Sequence, residues 1–266
     1  MLGDPVAHSL SPVLHRAGYA ARGLDWEYDA HRVAAGGLAD FVAGLDPSWR
    51  GLSLTMPLKR EAVDLVSSLS ATARRAGAVN TLLLDAAGLT GDNTDVPGAA
   101  AALAERGVTQ VRAAAVIGGG ATATSVGLAL ADCGAERITM LVRDPARAAE
   151  TVAAVRAHPS APRVSVENLL GPAVMADLVV STVPAAAQDA ELVARCSEVR
   201  AVFDVVYDPW PTPLAAAAGA RGQVLVSGLD LLVHQAALQF ALFTGVPAPV
   251  TVMRAAGEEA LRAREE

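Results

Sequence analysis

The sequence predicts an α/β protein with a parallel sheet, organised as two α/β units. Three observations lead there. Short, nearly continuous apolar runs recur through the middle of the chain, which is the pattern of strands buried on both faces. Helical stretches separate the runs, as crossovers between parallel strands require. A Gly118-Gly119-Gly120 turn sits between one such run and the helical pattern after it. A length of 266 residues suffices for one large domain or two smaller ones.

The N-terminal unit alternates helical pieces (Pro12 to Ala21, Gly37 to Leu45, Pro57 to Ser67) with strands near Trp26 to His31, Gly51 to Leu54 and Thr81 to Asp85. The sequence shows no strand ahead of Gly3, so this unit either lacks an edge strand or starts earlier in the natural polypeptide. Val96-Pro97-Gly98 reads as a hinge. The second unit begins with a strand at Ala113 to Ile117, then a helix over Ala121 to Asp132. Strands follow at Arg137 to Val142, Asp177 to Ser181, Ala201 to Val206 and Gln223 to Val226, with a helix start at Pro145. Leu231 to Phe243 reads as a helix, and the charge cluster Glu258 to Glu266 as a solvated helix end. Boundaries drawn from these patterns give one domain over 1–95, completed by helices in 231–266, and a second over 96–230.

Composition removes several classes. Hydrophobic residues make up 52% of the chain, which is wrong for a disordered protein. The formal net charge is −7 with no basic face, so no nucleic-acid partner is expected. No apolar run is long enough to span a bilayer and the first residues do not form a signal peptide, so no membrane partner is expected. Cys133 and Cys196 show neither metal spacing nor a disulfide framework, which suits a reducing cytoplasm. No metal site is expected.

Of 21 Lys and Arg residues one is lysine, Lys59, in Gly51-Leu-Ser-Leu-Thr55-Met-Pro57-Leu-Lys59. Arginine holds its proton permanently, whereas lysine can release one when desolvated. A chain that otherwise uses arginine and keeps one lysine either has a proton to move there or has a leftover surface residue. Three polar neighbourhoods favour the first reading. His8-Ser9-Leu10-Ser11-Pro12 marks a helix N-terminus, whose free N–H groups and two hydroxyls suit a small carboxylate, although either serine alone is also an ordinary cap. Gly77-Ala-Val-Asn80-Thr81 and Gly91-Asp-Asn-Thr-Asp95 are turn-like and polar, and Asp95 is a carboxylate suited to hold an ammonium.

The run Gly118-Gly119-Gly120-Ala121-Thr122-Ala123 fits G-x-G-x-x-A after a strand and before a helix, where glycines allow a pyrophosphate onto the helix N-terminus. The next strand ends Val142-Arg143-Asp144, with Arg147 one turn on. Two guanidiniums there favour a 2′-phosphate, hence NADP(H) over NAD(H). Asp144 either repels that phosphate or caps the following helix.

Together these segments resemble the shikimate dehydrogenase family over nearly the whole chain. Gly3 to Pro12 is similar to G-x-P-x-x-H-S-x-S-P, Ser53 to Lys59 to N-V-T-x-P-x-K, Gly77 to Thr81 to G-A-V-N-T, and Asn93-Thr94-Asp95 to N-T-D. Asp204-Val-Val-Tyr207-Asp-Pro209 with Thr212-Pro-Leu214 resembles D-x-x-Y-x-P…T-P-L, and Gly228 to Gln235 resembles G-x-x-M-L-x-x-Q. No single motif identifies the family; six in order do. The resemblance implies an N-terminal substrate domain, a Rossmann-type doubly wound NADP domain and a cleft between them. It implies reversible reduction of 3-dehydroshikimate to shikimate with NADPH. Carried over by position, Lys59 and Asp95 are the catalytic pair. Ser9, Ser11 and Tyr207 hold the substrate carboxylate, and Thr55, Asn80, Asp95 and Gln235 its ring hydroxyls. Gly118, Gly119, Gly120, Ala121 and Thr122 hold the pyrophosphate, and Arg143 and Arg147 match the family's cofactor arginines. Thr182, Val205 and Gly228 line the nicotinamide side. Ser53, Leu231, Val142 and Asp144 depart from the family's Asn, Met, Asn and Thr. The rivals are a quinate/shikimate dehydrogenase using NAD, an aminoshikimate-type dehydrogenase, and a non-catalytic dinucleotide-binding regulator. A monomer and a homodimer are both compatible with the sequence.

Overall fold

The computed structural model describes residues 1–85 and 88–265. It divides into two compact units, Met1–Thr94 with Leu232–Glu266, and Asp95–Leu231. Glu266, the last residue of the expected C-terminal charge cluster, lies outside the described residues.

The first unit opens with β1 (Leu2–Gly3), α1 (Ser11–Ala21), β2 (His31–Arg32), α2 (Leu38–Ala43), β3 (Gly51–Ser53) and α3 (Leu58–Glu61). It continues with β4 (Ser68–Leu69), α4 (Ala71–Ala76), β5 (Thr81–Asp85) and β6 (Gly88–Asp92). A strand does precede the glycine turn, contrary to expectation. β1 pairs in parallel with β2, and on its other side Leu2 bridges Leu54. The expected strand at Trp26 to His31 shrinks to His31–Arg32, because β1 offers ladder partners only there. β3, β5, β6 and β4 form a four-stranded sheet in that order, antiparallel except for β4 with β6. The helix expected over Pro57 to Ser67 stops early, passing through a 3₁₀ turn at Ala62–Asp64. Ser67 then gives both its N–H and its hydroxyl to the Leu89 carbonyl, at 2.8 Å each, which draws the chain into the sheet. Leu2, Leu38, Leu52, Leu58 and Leu82 are fully buried in one core that the strands share with α2 and α3.

The second unit begins at α5 (Asp95–Glu105). The expected Val96-Pro97-Gly98 hinge is therefore the first turn of a helix. Proline is tolerated there because a first-turn N–H has no intrahelical partner to lose. Next come β7 (Ala113–Ile117), α6 (Ala121–Asp132), β8 (Arg137–Val142), a 3₁₀ turn at Pro145–Ala148, α7 (Ala149–Arg156) and β9 (Arg163–Asn168). The unit is completed by β10 (Leu178–Ser181), α8 (Ala190–Arg195), β11 (Ala201–Asp204), α9 (Pro213–Ala220) and β12 (Val224–Val226). The six strands pair in parallel in the order β12-β11-β10-β7-β8-β9. β7 is buried along its whole length, as a central strand covered on both faces must be. The winding direction reverses between β7 and β10, and ligands of open α/β sheets bind at the carboxyl ends of strands at such a switch point.

α10 (Gly228–Thr244) and α11 (Val250–Glu265) close the chain. Ser227 and Asp230 cap α10 reciprocally. The Ser227 N–H donates to Asp230 Oδ2 at 2.9 Å, and the Asp230 N–H donates to Ser227 Oγ at 3.2 Å. No helix among the described residues is long and apolar enough to cross a membrane. Among them no group of three or more His, Cys, Asp or Glu is placed to hold a metal ion.

Candidate active site

Lys59 sits half-buried in the four-residue helix α3. The Leu58 N–H donates to the Thr55 carbonyl at 2.9 Å, so Thr55 and Lys59 flank one tight turn. The Lys59 carbonyl accepts the Val79 N–H at 2.7 Å, which fixes the lysine backbone to the Gly77 to Thr81 segment. That segment leaves α4 through Gly77 and enters β5. Asn80 then meets two strands: its N–H donates to the Asp92 carbonyl at 3.0 Å, and its carbonyl accepts the Leu54 N–H at 2.7 Å.

The Asn80 side chain is 1% exposed and its carboxamide is used at both ends. Oδ1 accepts the Thr94 N–H and the Thr81 hydroxyl, each at 2.8 Å. Nδ2 donates to Thr94 Oγ1 at 2.8 Å and to Gln235 Oε1, on α10, at 3.4 Å. Asn80 and Gln235, named separately from sequence, are therefore neighbours. Gln239 completes the cluster one turn along α10, donating to the Asn80 carbonyl at 3.0 Å and to Thr81 Oγ1 at 2.9 Å. Sequence reasoning missed Gln239, Thr81 and Thr94 as members of this site. The i,i+4 spacing of the two glutamines places both on one helix face and was the available signal.

Ser9 and Ser11 also come together. Ser11 is the first residue of α1, with Leu10 before it in the cap position and no side-chain cap there. Ser9 Oγ instead accepts the Ser11 N–H at 3.2 Å. Of the two, Ser9 satisfies an orphan N–H of the helix, and the nearly buried Ser11 starts the helix rather than capping it. A cavity of ≈ 460 Å³ in the first unit lies elsewhere, among Tyr19, Trp26, Trp49 and Phe243, and is lined by none of the expected site residues.

Asp95 opens α5 in the second unit and is 6% exposed. In the same unit the glycine turn follows β7. Gly118 has φ +115°, and a Cβ there would lie 2.3 Å from Thr182 Oγ1. Thr182 itself donates to the Ile117 carbonyl at 2.8 Å, so Gly118 and Thr182 are locked together at the switch point. Thr151 of α7 donates to the Gly119 carbonyl at 2.8 Å. Because a trans peptide sets N–H opposite C=O, the Gly120 N–H points away from Thr151. Gly120 is exposed, and a Cβ there would meet nothing within 4 Å. Among the described residues no side chain caps the N-terminus of α6, where Ala121 and Thr122 lie half-buried. Open space in front of an uncapped helix N-terminus fits a pyrophosphate.

At the end of β8, Arg143 and Arg147 are both exposed. Asp144 Oδ1 accepts the Ala146 N–H at 2.9 Å, so of its two expected roles the capping role is the observed one. The Val205 and Gly228 expectations meet as well: a Cβ on Gly228 would come within 2.3 Å of the Val205 carbonyl, which glycine alone avoids. Tyr207 is half-buried in the loop after β11. Asp204 anchors that loop, accepting from Thr212 Oγ1 at 2.6 Å, Gln188 Nε2 at 2.8 Å and the Val206 N–H at 3.2 Å. Burial pushes the Asp204 carboxyl above its usual range, against the pull of Thr212 and Gln188. The Asp204 and Thr212 of the sequence motif are thus structural supports for the segment carrying Tyr207.

A six-stranded parallel sheet wound both ways, with a glycine turn and an uncapped helix at its switch point, defines the Rossmann class of dinucleotide-binding protein. Residues 1–82 match the shikimate dehydrogenase substrate binding domain, and residues 228–256 the shikimate 5'-dehydrogenase C-terminal domain. The shikimate dehydrogenase (NADP(+)) of Moorella thermoacetica is 35% identical across 99% of this chain and 93% of its own length. The Mycobacterium tuberculosis shikimate dehydrogenase structure superposes with TM-score 0.86 at 36% identity, covering 97% of each chain. The Thermus thermophilus shikimate 5-dehydrogenase, solved with NADP(H) and shikimate, gives TM-score 0.86 at 32% identity over 98% of each chain. The chain belongs to the shikimate dehydrogenase family.

Proposed function

We propose that this chain is an oxidoreductase that interconverts 3-dehydroshikimate and shikimate using NADP(H). The full-length similarity to relatives named shikimate dehydrogenase (NADP(+)) carries the reading. The polar cluster around Asn80 and the open α6 N-terminus supply chemistry consistent with it.

In this reading the second unit takes NADP(H). The pyrophosphate rests on Gly118, Gly119, Gly120, Ala121 and Thr122, and Arg143 and Arg147 meet the 2′-phosphate. Asp144 is held at the start of the following turn by the Ala146 N–H. Thr182, Val205 and Gly228 line the nicotinamide side. NADPH, when bound, supplies the hydride that reduces the ketone carbon.

The remaining steps belong to the chain itself. Ser9, Ser11 and Tyr207 orient the substrate by its carboxylate, and Thr55, Asn80, Asp95 and Gln235 bind its ring hydroxyls. The Lys59 ammonium stabilises charge growing on the carbonyl oxygen and donates a proton to it, with Asp95 orienting the exchange. Such proton transfer contributes about 10²–10⁴-fold. Holding the reactants in attack geometry contributes roughly 7–11 kcal/mol. The substrate is a small molecule, the cytoplasm is the proposed location, and the chain acts as a monomer or a homodimer.

Rates with shikimate and with quinate, each with NADP⁺ and NAD⁺, test the proposal. The expected result is turnover of shikimate with a clear preference for NADP⁺. Turnover of quinate with NAD⁺ alone, or binding of the cofactor with no turnover of either acid, refutes it.

A further inference from the structure

We infer that Thr151, backed by Thr124, is a positioning residue for the dinucleotide: it holds the Gly119–Gly120 peptide with its carbonyl inward and its N–H outward, toward the pyrophosphate. The inference rests on the cofactor reading proposed above and concerns residues of the second unit only.

That peptide lies between two residues without side chains. A Cβ on Gly119 would come 2.7 Å from the Cβ of Ala148, so the close approach of the turn carrying Arg147 demands glycine there. Gly120 precedes α6 with φ −88° and ψ −173°. A peptide between two glycines turns over readily, because glycine reverses the sign of φ without steric cost. Turned over, it would aim the Gly119 carbonyl, rather than the Gly120 N–H, at the open space before α6. An N–H there attracts a pyrophosphate and a carbonyl repels it.

Two buried hydroxyls favour the observed orientation. Thr151 of α7 is 0% exposed and Thr124 of α6 is 1% exposed. Thr151 Oγ1 donates to the Gly119 carbonyl at 2.8 Å, with the Gly120 carbonyl farther off at 3.4 Å. A hydroxyl has one proton, and the shorter bond takes it. Thr124 Oγ1 lies 2.7 Å from Thr151 Oγ1 and 3.2 Å from the Gly120 carbonyl, which already accepts the Thr124 N–H at 3.0 Å. Thr124 therefore donates to Thr151, and Thr151 to Gly119, each bond polarising the next. In the turned-over peptide the Gly120 N–H would take the Thr151 oxygen. The Thr151 proton would then go to Thr124, and the Thr124 proton to the longer bond with a carbonyl already in use. The observed order keeps the two shorter bonds. Without the Thr151 hydroxyl the inward carbonyl loses its donor, and nothing then holds a peptide flanked by glycines.

The test compares dissociation constants of NADPH and NADH, read by titration, for wild type, Thr151→Val and Thr151→Ser. Thr151→Val keeps the shape and deletes the hydroxyl; Thr151→Ser keeps the hydroxyl. Both dinucleotides carry the pyrophosphate, so Thr151→Val should weaken both by the same factor, about tenfold, the scale of one lost bond to a charged group. Thr151→Ser should stay within about twofold of wild type, and KM for shikimate at saturating NADP⁺ should not move in either variant. A general loosening of α7 would also displace the turn carrying Arg147 and cost NADPH more than NADH. Thr151→Val binding both dinucleotides within about twofold of wild type, a loss confined to NADPH, or Thr151→Ser no better than Thr151→Val overturns the inference. If Thr151→Val fails to fold, Thr151→Ala decides by the same criteria. A wild type that binds neither dinucleotide overturns the inference together with the cofactor reading. A wild type that binds NADPH but turns over no shikimate overturns the proposed reaction alone.

Discussion

Asn80 and Thr94 are joined twice: the Thr94 N–H donates to Asn80 Oδ1, and Asn80 Nδ2 donates to Thr94 Oγ1, both at 2.8 Å. The clamp fixes the backbone one residue before Asp95 and leaves the Asn80 amide a single orientation. Asn80→Asp keeps the acceptor and removes the donor with almost no change of shape. Its KM for shikimate should rise about tenfold, the scale of one lost donor beside an unpaired neighbour. Steady-state kinetics at saturating NADP⁺ measures it, and an unchanged KM removes Asn80 from the substrate site.

Arg143→Ala should raise KM for NADPH far more than for NADH, since only NADPH carries the charge that the guanidinium meets. The scale is about tenfold or more for the phosphorylated cofactor. Equal changes for both cofactors would contradict the 2′-phosphate reading.

Arg106 grips the fully buried Asp230 with two bonds of 3.0 and 2.9 Å, while Ser227 caps α10 through the same carboxylate. Asp230→Ala removes both contacts within the second unit. Because the arginine side chain is 47% exposed and can rehydrate, the loss should be about 2–3 kcal/mol rather than the larger figure for a fully buried pair. Denaturant unfolding checks it, and a loss below about 0.5 kcal/mol would count against the box.

His15 is fully buried, stacked on Tyr28 at 4.2 Å between ring centroids, and neither ring nitrogen has a hydrogen-bond partner among the described residues. Burial lowers its pKa to about 3, helped by the Met1 amine; Gln239 acts in the opposite sense without forming a bond to the ring. The unfolded chain takes up a proton near pH 6.5 that the folded chain refuses until about pH 3. Stability therefore falls as pH drops through that window, by up to roughly 1.4 kcal/mol per pH unit. The Met1 amine, lowered to about 5 by burial, acts in the same sense from pH 8 downward. Subtracting the unfolding free energies of His15→Leu from those of wild type at each pH isolates the histidine. The difference should slope between pH 6.5 and pH 4 and be flat above pH 7; a flat difference throughout contradicts the assignment.

Legibility from sequence followed the strength of local patterning. α6 was readable to the residue, since glycines precede it and a continuous small and apolar run fills it. β9 was not: Arg163-Val-Ser-Val-Glu-Asn is an edge strand with polar residues on its solvent side. β6 reads as a turn because it carries Gly88, Gly91 and Asp92, and pairing with β5 along its length and with β4 at Thr90 and Gly91 makes it a strand. The Val96-Pro97-Gly98 segment misled because proline and glycine mark turns yet proline also fits a helix start. In the site, residues within motifs were visible one by one. The support behind them was not, because Tyr28, Ser53 and Gln239 meet over separations of up to 186 positions.

In the proposed reaction Lys59 delivers the proton. The most direct test is the kcat of Lys59→Ala with shikimate and NADP⁺, read beside the dissociation constant for NADPH. The expected result is a fall in kcat of about 10²–10⁴-fold with NADPH affinity within about twofold of wild type. A variant that keeps kcat within about threefold of wild type would contradict it.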